Sequence, residues 1–276
     1  MRHLEDSFVG VHGLRLYTQA WLPEGAVVAV VVLSHGLAEH SGRYGELVAL
    51  LVQRGYAVHA LDHVGHGRSE GRRSYVDRFG SLVDDLAQLM RAAVVAHPGR
   101  PLLLLGHSLG GAIAFACALE HQHELKGLIL SAPALGATAV PRFRLIVARI
   151  LSRVAPYSGA LKLPADAVSR DPAVVDSYEH DPLVYRGAVP ARTAVELLDA
   201  MSQFPARALE LRVPVLALHG TADRLVPLAA VQPVYDRIGS ADKSIVLYPG
   251  LYHEVFHEPE RAAVFADLEG WLSSHV

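Results

Sequence analysis

One short segment constrains this chain more than any other. Leu102-Leu103-Leu104-Leu105 runs into Gly106-His107-Ser108-Leu109-Gly110-Gly111, so an apolar strand passes through G-x-S-x-G into a stretch suited to a helix. Small residues on both sides of the serine permit a sharp strand-to-helix turn that holds its hydroxyl at the tip of a sheet. Ser108 then stands at a helix N-terminus, where free backbone N–H groups and the helix dipole favour negative charge. The motif by itself is short enough to arise by chance, and its context has to carry it.

That context is an α/β alternation. Val27 to Leu33 is a continuous apolar run, as expected of a strand covered on both faces. Tyr56 to Leu61, Leu102 to Leu105, Leu128 to Leu130, Val213 to Leu218 and Ser244 to Tyr248 repeat it. Helical patterns lie between them, over Tyr44 to Gln53, Leu82 to His97, Leu109 to Glu120 and Pro259 to Leu272. Phe8 to Trp21, turning at His12-Gly13, reads as an antiparallel hairpin. The alternation implies an α/β fold with a mostly parallel central sheet flanked by helices. It is broken once, between about Leu135 and Arg212, by prolines and irregular helical pieces. The expected organisation is one domain over 1–276, with a cap inserted after the sixth strand at about 136–211.

Composition removes several classes of answer. Lys and Arg number 25 against 28 Asp and Glu, a net charge of −3, without the basic excess of a nucleic-acid binder. Half of the chain is hydrophobic, at 51%, which is not the composition of a disordered segment. Its longest uninterrupted apolar run, Ala26 to Leu33, has eight residues, against roughly 18 or more for a transmembrane helix. Met1 to Asp6 lacks a signal-peptide core, so a cytoplasmic protein is expected. The single cysteine, Cys117, has no internal disulfide partner. Sixteen histidines invite a metal reading, but their spacing argues against it. His59 and His63, if extended, stand roughly 13 Å apart, too far for one zinc ion with ligands at about 2.1 Å. No cofactor and no metal are expected.

A serine hydroxyl needs a histidine to take its proton, and the histidine needs a carboxylate to orient it. Both are expected after later strands, in the order serine, acid, histidine. Val213 to Leu218 leads into His219-Gly220-Thr221-Ala222-Asp223, and Ser244 to Tyr248 leads into Pro249-Gly250-Leu251-Tyr252-His253. The expected triad is Ser108, Asp223 and His253. Asp199 and Asp181 are the rival acids, with no strand before them, and His257 is the rival base. Acyl transfer also requires donors for the oxyanion. One is the backbone N–H after the nucleophile, Leu109; the other is expected from the loop after the third strand, at Leu37. His35 is read as a brace for that loop.

Taken together, these segments resemble the monoacylglycerol lipase branch of the α/β-hydrolase family. The similarity runs through nearly the whole chain. The D-x-x-G-H-G-x-S turn at Asp62 to Ser69 and the elbow at Ser108 are shared by many α/β-hydrolases. His35-Gly36-Leu37-Ala38-Glu39-His40-Ser41-Gly42-Arg43-Tyr44 is narrower, as is the cap run Ser169-Arg170-Asp171-Pro172 with Asp181-Pro182-Leu183. The resemblance implies an α/β-hydrolase fold and a serine lipase that cleaves monoacylglycerol to fatty acid and glycerol. It also implies that Glu39, Arg43 and Tyr178 line the pocket for the glycerol head, the first two serving equally as a salt bridge that steadies the loop. The same triad would serve a lysophospholipase or a broad-specificity carboxylesterase. From another class, the scaffold would serve a non-catalytic binding protein.

Val140 to Val154 projects onto a helix with Arg142, Arg149 and Arg153 on one side and Phe143, Val147, Leu151 and Val154 on the other. Such a helix either packs its apolar face on the core or lies on a lipid surface as a peripheral membrane contact. The partner expected is a small lipid substrate; oligomeric state is left open.

Overall fold

The computed structural model describes residues 1–137 and 142–276, without the side chains of Arg142 and Arg144. Its sheet has eight strands: β1 (Arg2–Val9), β2 (Arg15–Leu22), β3 (Ala29–Ser34), β4 (Tyr56–Leu61), β5 (Leu102–His107), β6 (Gly127–Ser131), β9 (Val215–Gly220) and β10 (Lys243–Tyr248). Their order is β1-β2-β4-β3-β5-β6-β9-β10. The β1–β2 and β2–β4 pairs are antiparallel, and all the others are parallel. The hairpin is longer than expected. It pairs Arg2 with Leu22 at its open end, and β1 is exposed on nearly every residue, so its outer half has no apolar alternation to read.

The flanking helices are α1 (Gly45–Gln53), α2 (Phe79–Ala96), α3 (Leu109–His121), α7 (Leu228–Asp236) and α8 (Arg261–His275). Successive side chains of a strand point to opposite faces, and this divides the apolar runs between two cores. Val30, Val32, Leu102, Leu104, Leu128 and Leu130 meet α2, α3 and α7. Val31, Leu33, Leu103, Leu105 and Ile129 meet α1 and α8. Uninterrupted apolar strands are what a sheet covered on both sides requires.

The segment between β6 and β9 holds α4 (Arg142–Val154), α5 (Pro172–His180), α6 (Ala191–Arg207) and a small antiparallel pair, β7 (Gly159–Leu161) with β8 (Val189–Pro190). This insertion is less irregular than its sequence suggests, because α6 is a 17-residue helix with Pro205 only near its end. Val140 and Pro141, at the start of the helix expected over 140–154, lie outside the described residues, as does the Arg142 side chain.

In the parallel part of the sheet the chain passes from β3 to β4 on one side and to β5 on the other. A crevice opens beyond the carboxyl ends of strands at such a reversal, and open α/β sheets bind ligands there. The loop after β3 and the turn after β5 meet at that point.

Candidate active site

Ser108 occupies the turn between β5 and α3 with φ 55° and ψ −119°, a conformation costing about 1–3 kcal/mol for a residue with a side chain. Its backbone is held from both ends. The Ser108 N–H donates to the Ser131 carbonyl at 3.0 Å, and its own carbonyl accepts from the N–H groups of Ala112 and Ala134 at 3.1 and 2.9 Å. Two glycines make the turn possible by close approach. A Cβ on Gly110 would stand 2.1 Å from the Ser34 carbonyl oxygen, and one on Gly106 would stand 2.3 Å from that of Gly110.

The acid and the histidine come from neighbouring parallel strands. Asp223 follows β9 and His253 follows β10; the N–H groups of Thr221 and Ala222 donate to the carbonyls of Tyr248 and Leu251, joining the two loops. His253 Nδ1 donates to Asp223 Oδ2 at 2.7 Å. The other oxygen, Oδ1, accepts from the N–H groups of Leu225 and Val226 at 2.8 and 2.9 Å. Burial pushes the Asp223 carboxyl up, but the His253 bond and the Val226 N–H outweigh it and hold it below the ordinary carboxylate value. With Nδ1 committed, Nε2 is the ring nitrogen available to accept a proton. The rival acids are engaged elsewhere: Asp181 accepts from His40, and Asp199 from Arg149.

Ser108, His253, Leu37 and Leu109 line one cavity of about 750 Å³. Leu109 is the first residue of α3, so its N–H has no intrahelical acceptor. Leu37 lies in the loop after β3. His35 braces that loop: its Nδ1 donates to the Gly36 carbonyl at 2.7 Å and its Nε2 accepts from the His63 N–H at 2.9 Å. The rest of the cavity is mostly apolar, with Phe143, Val147 and Leu151 from α4 and Leu197, Leu198 and Met201 from α6.

Glu39 and Tyr178 also line the cavity, whereas Arg43 stands behind them. Its guanidinium grips Glu254 with two bonds, of 2.6 and 2.8 Å, and Glu39 with one of 2.9 Å. It also lies 4.9 Å from the centre of the Tyr178 ring. Glu39 accepts further bonds from the Tyr44 hydroxyl and the Gly36 N–H, both at 2.6 Å. His257 donates from Nδ1 to Glu254 at 2.9 Å and from Nε2 to the Arg43 carbonyl at 3.0 Å. Both ring nitrogens therefore face acceptors, the arrangement of an imidazolium. Burial lowers the His257 value, but Glu254 more than reverses it and raises it above the ordinary one. Burial likewise works against the Glu39 and Glu254 carboxylates, and the Arg43 charge leads the contributions that keep both ionised. Two carboxylates, one guanidinium and one imidazolium thus balance in charge. His257 is also backed by a carboxylate, Glu254, but both of its ring nitrogens are committed and it does not line the cavity, so it offers no nitrogen to a substrate there.

Sequence reasoning missed Glu254 and His107. Glu254 was visible as the acidic neighbour of the candidate base, but its partner is 211 residues away. His107 stands with its ring 4.8 Å from that of His253 and bonds through Nδ1 to Ser131. Burial first, then the neighbouring His253, push it down to about 4, so it packs there as a neutral imidazole. Among the described residues no group of three or more His, Cys, Asp or Glu is placed to hold a metal ion.

A family profile described as serine aminopeptidase, S33, matches residues 25–260. The chain belongs to that family. A monoacylglycerol lipase of Mycolicibacterium smegmatis is 42% identical over 273 residues, spanning 99% of this chain and 98% of that one. The monoglyceride lipase of Homo sapiens is 36% identical over 272 residues, spanning 97% and 90%. The crystal structure of a Paleococcus ferrophilus monoacylglycerol lipase superposes with a TM-score of 0.83 at 30% identity, over the full length of both chains. The fold is that of the α/β-hydrolases, as the sequence led us to expect.

Proposed function

We propose that this protein is a serine hydrolase that cleaves the ester bond of monoacylglycerols to fatty acid and glycerol through an acyl-enzyme on Ser108. The observation that carries the reading is that Ser108 and His253, the latter bonded to Asp223, line one largely apolar cavity. Ser108 Oγ attacks the ester carbonyl as His253 Nε2 takes its proton. The N–H groups of Leu37 and Leu109 receive the developing oxyanion. The imidazolium then protonates the departing glycerol oxygen, and a water activated by His253 releases the fatty acid. In the relatives' names the substrate is a monoglyceride, and the cavity suits one: an apolar slot for the acyl chain, with Glu39, Glu254 and Tyr178 as polar wall for a neutral diol. Arg43 acts from behind by keeping the two carboxylates ionised and in place. That neutralisation also argues against an aminopeptidase, which needs an acidic group free to pair with a substrate ammonium.

In the same reading the insertion is a cap on a single domain, and α4 is its contact with lipid. Ile146, Ile150 and Val154, the last 74% exposed, form an outward apolar row on α4, next to the side that lines the cavity. Arg149 bonds Asp199 on α6 at 2.7 Å and anchors the opposite side. No helix among the described residues is long and apolar enough to cross a membrane, so the expected mode is attachment in the interfacial plane.

Ser108→Ala is expected to lower monoacylglycerol hydrolysis by about 10⁴-fold or more with an unchanged melting temperature. Wild type assayed beside it on monoacylglycerol, lysophospholipid and a short soluble ester should prefer the first. Retained turnover by Ser108→Ala removes the nucleophile assignment, and a preference for lysophospholipid replaces the substrate. For the lipid contact, Ile146→Glu with Ile150→Glu should weaken sedimentation with phosphatidylcholine–phosphatidylglycerol vesicles by about tenfold or more. Hydrolysis of the soluble ester should be unaffected; unchanged sedimentation would rule α4 out as the contact.

A further inference from the structure

The two narrow motifs of the sequence meet in the fold. His40, from the loop after β3, donates from Nε2 to Asp181 Oδ2 at 2.8 Å. Its ring is oriented by the Gly42 N–H, which donates to Nδ1 at 3.2 Å. Asp181 is fixed in turn. Its Oδ1 accepts from the Leu183 N–H at 2.8 Å, its N–H donates to the Ser177 carbonyl at 3.0 Å, and Arg186 donates to its carbonyl at 2.7 Å. Four residues on from Asp181, the Tyr185 N–H donates to the Ala38 carbonyl at 2.8 Å.

Ala38 follows Leu37 and has φ 69°, in the left-handed region that disfavours a residue with a Cβ. The core holds this loop on either side of it. Gly36 N–H donates to Glu39, and the Ser41 N–H and hydroxyl donate to Asp62 at 2.8 and 2.6 Å. Between those anchors, the bond that reaches the Leu37–Ala38 pair comes from the cap. Neither His40 nor Asp181 lines the cavity, so any effect they have on chemistry passes through the loop.

We propose that Asp181 is a positioning residue for the oxyanion loop. Its bond to His40, beside the Tyr185–Ala38 bond, holds the Leu37 N–H where the tetrahedral oxyanion forms. The cap then takes part in the chemical step as well as in admitting the acyl chain. The proposal rests on the serine-hydrolase reading above. An oxyanion donor is worth about 10²–10³ in kcat when removed, and a misplacement of about 1 Å costs up to about 10²-fold, so a loosened loop should register in kcat.

The test uses p-nitrophenyl butyrate, whose short acyl group makes little demand on the apolar cavity. Asp181→Ala should lower kcat by about 10- to 100-fold with KM within about twofold. It should weaken an alkyl boronic acid, which forms a tetrahedral adduct on Ser108, by a similar factor. Asp181→Asn keeps an acceptor oxygen for the His40 N–H and should remain within about threefold of wild type, since one neutral hydrogen bond is retained. Should Asp181→Ala fail to fold, His40→Gln supplies the comparison, because its amide N–H preserves a donor toward Asp181 and should spare kcat where His40→Ala lowers it. An unchanged kcat in the alanine variants, a rise in KM alone, or equal loss in the alanine and amide variants overturns the positioning role. Absence of wild-type turnover overturns the hydrolase reading and this proposal with it; normal wild-type turnover matched by Asp181→Ala overturns this proposal alone.

Discussion

Replacing Arg43 with methionine is expected to destabilise the fold by about 3–5 kcal/mol, because removing one partner of a buried ion pair leaves uncompensated charge in the interior. Here two carboxylates lose their shared counter-ion. Glu39 and Glu254 are buried, and each bonds the guanidinium at under 3 Å; His257 alone is left to balance them. At this size such a loss corresponds to a fall of about 10 °C in melting temperature. Arg43→Lys should be intermediate, since an ammonium has no planar fork for the two-bond contact with Glu254. Adding Glu254→Gln to Arg43→Met should restore part of the loss, because one buried charge goes with its partner. Arg54→Ala serves as the comparison. It makes a single bond to Glu269, and the Arg54 side chain is 64% exposed; exposed pairs contribute about 0–1 kcal/mol. A thermal shift for Arg43→Met no larger than that of Arg54→Ala would show that the network contributes little to the fold.

Acid should unfold this protein through its histidines before its carboxylates. Burial holds His59, His66 and His107 down to about 4 each, with neighbouring histidines adding to the effect. Burial also lowers His35 and His63. Such imidazoles bind protons in the unfolded chain, near the ordinary value of about 6.5, before they bind them in the fold. Stability therefore falls as pH drops below about 6.5 and goes on falling to about 4, where the folded groups protonate as well. Three such groups give a slope of up to about 4 kcal/mol per pH unit, against a total stability of about 5–15 kcal/mol. His257 works in the opposite sense. Its folded value is raised, so its contribution is complete below about 6.5 and is lost as pH rises through the raised value. Glu39, Glu254 and Asp223, all lowered, add their losses below the ordinary carboxylate values near 4. Urea unfolding followed by circular dichroism at pH 7, 6 and 5 reads the slope directly. His59→Phe, at a pair with His97 outside the cavity lining, should lower the slope by about one proton's worth and leave hydrolysis unchanged. A stability flat between pH 7 and 5 would contradict the whole assignment.

Much of the site was legible because the chemistry follows strand ends. The strand before Asp223 is a buried apolar run of the kind a sheet covered on both faces requires, and the edge strand before His253, though only partly buried, keeps the apolar stretch Ile245 to Tyr248. The elbow carries its own signature, since only small residues tolerate the approaches made at Gly106 and Gly110. Helix α6 carries an amphipathic period, but the prolines of the insertion, Pro205 near its own end among them, made the stretch read as irregular pieces. The outer part of β1 was harder still, because a strand exposed on both faces has no pattern. For α4 the periodicity located an apolar face but not its surroundings. In the fold that face divides between the cavity wall and an outward row of isoleucines and Val154.

The sequence by itself determined the α/β layering and singled out the candidate nucleophile, acid and base. Each of these depends on local pattern: side-chain alternation, small residues at a turn, or a polar residue one loop beyond an apolar run. Only the tertiary structure decided which polar and charged side chains meet. Arg43 meets Glu254 across 211 residues and His40 meets Asp181 across 141. A charged side chain in a sequence reads equally as surface, salt bridge or site, because its meaning is set by what the fold brings within about 3 Å of it in a medium that no longer screens charge. Chain order carries no record of that proximity.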